Sequence, residues 1–137
     1  MIILLAGSTP IVRSAVAEKI VSESDTWRHL AIEDLAETAR TNENGQEYDE
    51  ETLLAIVCQC AKTMQNDGYH LILSLSDVTN LSRMIRGSIE GDSLALYLGV
   101  PDAEVMNDFD HIIDTKTRSI NDIYEFLRPL IDDPPDA

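Results

Sequence analysis

Apolar positions along this chain follow two rhythms. Ile2-Ile3-Leu4-Leu5-Ala6, His70–Leu75 and Leu94–Val100 are nearly continuous apolar runs, the last stopped by Pro101. Runs of this length suit strands buried on both faces of a parallel sheet. Trp27–Ile32 alternates more weakly and reads as a further strand, and His111–Asp114 reads as a short closing one. Between these runs the spacing becomes helical. Val12, Val16 and Ile20 form a stripe over about Ile11 to Ser24. Leu53, Leu54, Val57, Cys58, Ala61 and Met64 do the same over Glu50 to Asn66, where Asp67-Gly68 ends the pattern. Gly68 is a natural residue for the left-handed position just past a helix. Leu81, Met84, Ile85 and Ile89 mark a helix from Asn80 to about Glu90, and Glu33–Ala39 a short one. Ser119 caps a last helix, about Ile120–Ile131, with Asp122 in its first turn where the dipole favours an acid. Thr41–Asp49 is a polar loop with Asn44-Gly45 as its turn, and Gly91-Asp92 is another turn.

Strands alternating with helices predict an α/β fold with three α/β/α layers around a parallel sheet of about five strands. Ligands of such sheets bind beyond the carboxyl ends of the strands. Here that gathers the loops after Ala6, Ile32, Leu75 and Val100 around one crevice. At 137 residues the chain reads as one domain, residues 1–131, followed by a short acidic tail, Asp132 to Ala137. A flavodoxin-like or response-regulator-like sheet also alternates strand and helix. It would place acids after the first strand, where this chain has Gly7-Ser8-Thr9.

The turn after the first strand carries the chemistry. Gly7-Ser8-Thr9-Pro10-Ile11-Val12-Arg13-Ser14 lies where the Walker A loop, G-x-x-x-x-G-K-[ST], is expected. Gly7 and Ser14 fit the template, while Val12 replaces its second Gly and Arg13 its Lys. A phosphate cradle needs backbone N–H groups curled around the anion and a helix N-terminus aimed at it. Val12 resists the backbone conformations that Gly allows. Pro10 removes one donor. Arg13 keeps a positive charge in a planar fork rather than a compact ammonium. A plain strand–turn–helix, with Ser8 or Thr9 as N-cap, accounts for the same residues.

Charge narrows the partners. The net charge is −15, from 25 acids and 10 bases, and only three residues are Lys. Nucleic acid and anionic membrane both require a basic face, so neither is expected as a partner. Solubility or a salt-adapted host explains the acidity as well as any function does. The short first apolar run and the absence of a leader pattern predict a soluble, cytoplasmic protein. Cys58 and Cys60 stand two apart on a helix and point in different directions, so they read as half-buried thiols rather than metal ligands. His29, His70 and His111 are scattered.

Three stretches resemble the small P-loop kinases of the nucleoside-monophosphate kinase fold, adenylylsulfate kinase first and gluconate kinase next. They are the loop Gly7–Ser14, the stretch Tyr48–Arg86 (YDEETLLAIVCQCAKTMQNDGYHLILSLSDVTNLSRMIR) and the stretch His111–Leu127 (HIIDTKTRSINDIYEFL). The resemblance implies ATP and Mg²⁺ as cofactors of an active enzyme. It places Gly7, Ser8, Thr9, Arg13 and Ser14 at the nucleotide phosphates, with Ser14 and Asp34 at the metal. Asp34, with Glu33 beside it, stands where adenylylsulfate kinases keep an acid, and an N-cap role suits it equally. Ser76 matches a loop Ser after the third strand. Asp77 replaces the usual Pro and is placed like a Walker B carboxylate, though a turn residue reads the same way. Arg83 and Arg86, three apart on one helix face, match arginines directed at substrate phosphate or sulfate; a solvated face is the other reading.

The chain departs from these kinases after Pro101. Active members insert a basic lid there, whereas Asp102–Asp110 (DAEVMNDFD) holds four acids and no base. Phosphoryl transfer depends on positioning and charge stabilisation, so loss of lid and P-loop Lys predicts impaired or absent transfer. The expectation is therefore a kinase-like domain with a degenerate Walker A loop that binds nucleotide or phosphate. The alternative is a non-catalytic module on the same fold that binds another protein chain.

Overall fold

A computed structural model describes residues 1–7, 10–32, 50–75, 87–88, 92–99 and 109–132, with only the backbone described at 50–53. Within them the chain forms β1 (Ile2–Gly7), α1 (Pro10–Glu23), β2 (Trp27–Ala31), α2 (Glu50–Asn66), β3 (His70–Leu75), β4 (Ser93–Leu98), β5 (His111–Ile113) and α3 (Ile120–Asp132). The expected helix at 33–39 lies outside the described residues. So does the one at 80–90, apart from residues 87 and 88, which are helical. α3 takes in Asp132, which bonds to Arg128 one turn back at 3.4 Å, and residues 133–137 lie outside the described residues.

The five strands make one parallel sheet in the order β2-β3-β1-β4-β5. That order separates the chain from flavodoxin-like sheets, whose strands run 2-1-3-4-5. β1 is central, and all six of its residues are buried. Its alternation assigns the two faces of the sheet. Ile3 and Leu5 join Ile72, Leu96 and Leu98 in a core with Val16, Ala17 and Ile20 of α1 and Ile123, Leu127 and Ile131 of α3. Ile2, Leu4 and Ala6 join Leu71, Leu73, Leu75, Ala95 and Tyr97 in a second core with Val57 and Ala61 of α2. Each fully buried Leu or Ile contributes about 1.5–3 kcal/mol, so the two cores account for the sandwich of helices around the sheet.

Local signals set the ends of the elements. α2 closes as a Schellman motif: the Tyr69 amide donates to the Met64 carbonyl at 3.1 Å and the Gly68 amide to the Gln65 carbonyl at 3.0 Å. Gly68 has φ +94°, which favours glycine. Trp27, fully buried at the start of β2, donates from its indole to the Ile131 carbonyl at 3.2 Å and so ties an edge strand to the end of α3. At the other edge, the Asp110 amide donates to the Ala95 carbonyl at 2.8 Å while its carboxylate accepts from the Ala95 amide at 2.9 Å. The Gly99 amide then donates to the Ile113 carbonyl at 2.8 Å, and these bonds hold β5 in register beside β4.

Candidate functional site

The carboxyl end of β1 is where the crevice was expected, and it is built from Gly7 and Arg13. Gly7 ends β1 with φ +149°, and a Cβ placed there would lie 2.4 Å from the Leu98 carbonyl oxygen. Backbone conformation and the close approach of β4 each demand glycine at this point. Only residues 8 and 9 separate β1 from α1, which begins at Pro10. Proline suits this first helical position because its missing N–H has no helical partner to lose.

The early helix start changes the meaning of the motif. Pro10, Ile11, Val12 and Arg13, which the Walker A template assigns to the loop and its Lys, occupy the first turn of α1. Ile11 is 80% exposed, and Val12 packs against the core shared with α3. Arg13 is only 2% exposed, and its Nη1 donates to the Gly7 carbonyl. A guanidinium left in an apolar core without hydrogen bonds would cost several kcal/mol or more, so this bond is part of what permits its burial. Ser14 is half-buried in α1.

Of the residues expected around the crevice, Gly7 and Arg13 are brought together and Ser14 follows on the same helix. Ser8, Thr9, Glu33, Asp34, Ser76, Asp77, Arg83 and Arg86 lie outside the described residues, as does the segment 100–108 where a lid would be inserted. Among the described residues, no group of three or more His, Cys, Asp or Glu is placed to hold a metal ion. Cys58 and Cys60 are both half-buried, and burial pushes the Cys58 thiol up from its ordinary value. No helix among the described residues is long and apolar enough to cross a membrane.

A polar pair that sequence reasoning missed lies on the α1 side of the sheet. His29 Nε2 and Ser74 Oγ are 2.7 Å apart, and Ser74 is buried. They sit on neighbouring strands whose register pairs His29 with Ile72 and Ala31 with Ser74. A signal was available: Ser74 is a lone hydroxyl in the apolar run of β3, and His29 shares its face of β2 with Trp27.

The second missed feature is a cavity of about 300 Å³ between β5 and α3, lined by His111, Ile112, Asp114, Arg118, Asp122 and Phe126 among others. The rings of His111 and Phe126 meet edge to face at 5.1 Å. Ser119 and Asp122 close the start of α3 reciprocally. The Asp122 amide donates to Ser119 Oγ at 3.1 Å, and the Ser119 amide donates to the Asp122 carboxylate at 3.0 Å. The bond from the Ser119 amide, then the Ser119 hydroxyl, hold the Asp122 carboxyl below its ordinary value.

No protein-family model matches the chain, and no curated protein matches it in sequence. Its likenesses are structural. The chain superposes on the crystal structure of APE1195 with a TM-score of 0.72 at 15% identity, covering 96% of this chain and 94% of that one. The tunicamycin resistance protein of Deinococcus radiodurans gives 0.69 at 13% identity, with 95% and 94% covered. A gluconokinase from Sinorhizobium meliloti 1021 gives 0.63 at 13% identity, with 95% and 90% covered. The hexameric APS kinase of Thiobacillus denitrificans gives 0.55 at 10% identity, with 96% of this chain matched to 29% of that one. Both kinds of kinase that the sequence resembles are thus among the structural likenesses. The chain has the fold of P-loop kinases: a five-stranded parallel sheet in the order β2-β3-β1-β4-β5 between layers of helix.

Proposed function

We propose that this chain is a kinase-fold domain with a degenerate Walker A segment, in which nucleotide binding is weak and phosphoryl transfer is lost. The observation that carries this reading is the start of α1 at Pro10, with Arg13 turned inward onto Gly7. In a working P-loop the segment between strand and helix wraps the phosphates with its backbone amides. Here that segment is helix from Pro10 onward, and its first helical position is a proline. The cation of the motif is spent on a backbone carbonyl. Arg13 would have to leave the core before it could neutralise a transferring phosphoryl group. Transfer rests on such positioned charge, and removing one preorganised donor can cost a factor of about 10²–10³ in rate.

ATP and Mg²⁺ would be the cofactors of a working version of this fold. Gly7, Ser8, Thr9 and Ser14 are the residues of this chain that would meet them, with Asp34 or Asp77 on the metal and Ser76, Arg83 and Arg86 on a substrate. The test is direct. ATP consumption is followed by phosphorus NMR with Mg²⁺ present, offering adenylylsulfate, gluconate and nucleoside monophosphates in turn. The expected result is no turnover above the protein-free control. Turnover with any of these acceptors contradicts the proposal.

A second reading, a module that binds another protein, is favoured by a separate observation. Of the four large hydrophobic residues exposed among the described residues, Ile112 of β5 and Phe126 of α3 line the same cavity. Exposed apolar groups gathered at one place, rather than scattered singly, mark interaction surfaces.

A further inference from the structure

We infer that this fold responds to ionic strength: its own negative charge holds it below full stability, and monovalent cations gathered loosely around it restore that stability as salt rises. Nucleotide has no part in this, so the inference stands or falls apart from both readings above.

The chain carries −15, from 25 acids and 10 bases in 137 residues. Folding draws like charges together, so a net charge this far from zero opposes the compact state. Close pairing with bases could offset the repulsion, but several bases are turned to neutral partners. Arg13 is buried and donates to the Gly7 carbonyl. Lys19 Nζ lies 5.0 Å from the centre of the Tyr124 ring. The Arg28 guanidinium lies 4.2 Å from the centre of the Tyr69 ring and donates to the Asp25 and Trp27 carbonyls at 3.0 and 2.9 Å. Between described residues, the ion pairs are those of Arg128 with Glu125 at 3.5 Å and with Asp132 at 3.4 Å. All three side chains are exposed, where such pairs contribute little.

The helix ends repeat the imbalance. None of α1, α2 and α3 has a base in its last turn. Glu23 is the last residue of α1, Asp132 the last of α3, and Asp67 directly follows α2. The helix dipole places partial negative charge at these ends, so an acid there is repelled. Salt weakens both kinds of repulsion. The screening length falls from about 10 Å at 0.1 M to about 3 Å at 1 M. Cations that associate more with the compact chain than with the unfolded one shift the equilibrium toward folding.

Urea denaturation of the full chain at pH 7, in KCl from 0.1 to 1 M, tests this. The midpoint should rise by at least about 0.5 M urea with an unchanged slope. Potassium sulfate at equal ionic strength should give the same rise, because screening follows ionic strength rather than the anion. Two exposed helix residues give a second measurement. Glu18 and Lys62 have no charged residue three or four positions away on α1 and α2. Glu18→Lys should raise the midpoint at 0.1 M KCl and Lys62→Glu should lower it, and both shifts should shrink by at least about half at 1 M. A midpoint that stays flat from 0.1 to 1 M KCl overturns the inference. So does a larger rise in sulfate, which would assign the effect to stronger apolar burial. Shifts in the two variants that are absent, or that salt leaves unchanged, overturn it as well.

Discussion

The guanidinium of Arg13 donates to the carbonyl of Gly7, and both residues are buried at the end of β1. The bond joins the first and seventh positions of the Walker A segment. In the Walker A template those positions frame a phosphate, whereas here they close on each other. The cation is therefore a structural group of α1, and its removal should be felt in stability.

Arg13→Ala leaves a space in the core and takes away a donor of the buried Gly7 carbonyl. The expected loss is about 2 kcal/mol or more, the range for an unsatisfied buried acceptor with lost packing. Urea denaturation checks it, through a lower midpoint with unchanged slope. A variant as stable as the parent would show that the bond contributes nothing to the fold.

Two glycines separate backbone conformation from close approach. Gly7 and Gly68 both have positive φ, but only Gly7 has a backbone atom where a Cβ would go, while Gly68 has nothing within 4 Å. Gly68→Ala should cost about 1 kcal/mol, the price of the left-handed conformation alone. Gly7→Ala should cost at least about twice that, because β4 must also give way. Equal losses in thermal midpoint would contradict the packing of Gly7 against Leu98.

His29 of the edge strand β2 and Ser74 of its neighbour β3 should be coupled. Ser74→Ala and His29→Ala are each expected to destabilise, and the double variant to lose less than their sum by about 0.5–1.5 kcal/mol. Additive losses in a double-mutant cycle would mean that the 2.7 Å contact carries no net energy.

Acid should loosen the start of α3. The Asp122 carboxyl is held below its ordinary value of 3.8 by the Ser119 amide and hydroxyl. A depressed carboxyl adds stability that is fully present above the unfolded value and lost as pH falls through the folded one. The stability difference between the parent and Asp122→Ala should therefore be constant above pH of about 5 and shrink below about 4. A difference that stays flat through that window would remove Asp122 from the cap.

Much of the fold was legible because the signals were local. The apolar run His70–Leu75 and the stripe over Glu50 to Asn66 became β3 and α2 with the expected ends. The first strand runs one residue further, to Gly7, because that backbone still pairs with Leu98. β4 stops at Leu98, short of the expected Val100, where Gly99 turns the chain at φ +125°. β2 stops at Ala31, the last of its residues paired with β3, and Ile32 goes instead into the core facing α2. The site was less legible. A motif gives spacing but not whether its cation faces solvent, and the burial of Arg13 follows from α1 starting three residues before it. His29 and Ser74 are 45 residues apart, so only the strand register brings them together. Phe126 reads as one more apolar helix residue until β5 is placed beside it.

The central claim is that the phosphate site of this fold has been closed by its own first helical turn. Calorimetric titration of the full chain with ATP and ADP, with and without Mg²⁺ at low salt, tests it most directly. The account predicts a Kd weaker than about 1 mM, corresponding to less than about 4 kcal/mol, and no dependence on Mg²⁺. Micromolar, Mg²⁺-dependent binding that is lost in Arg13→Ala would contradict it.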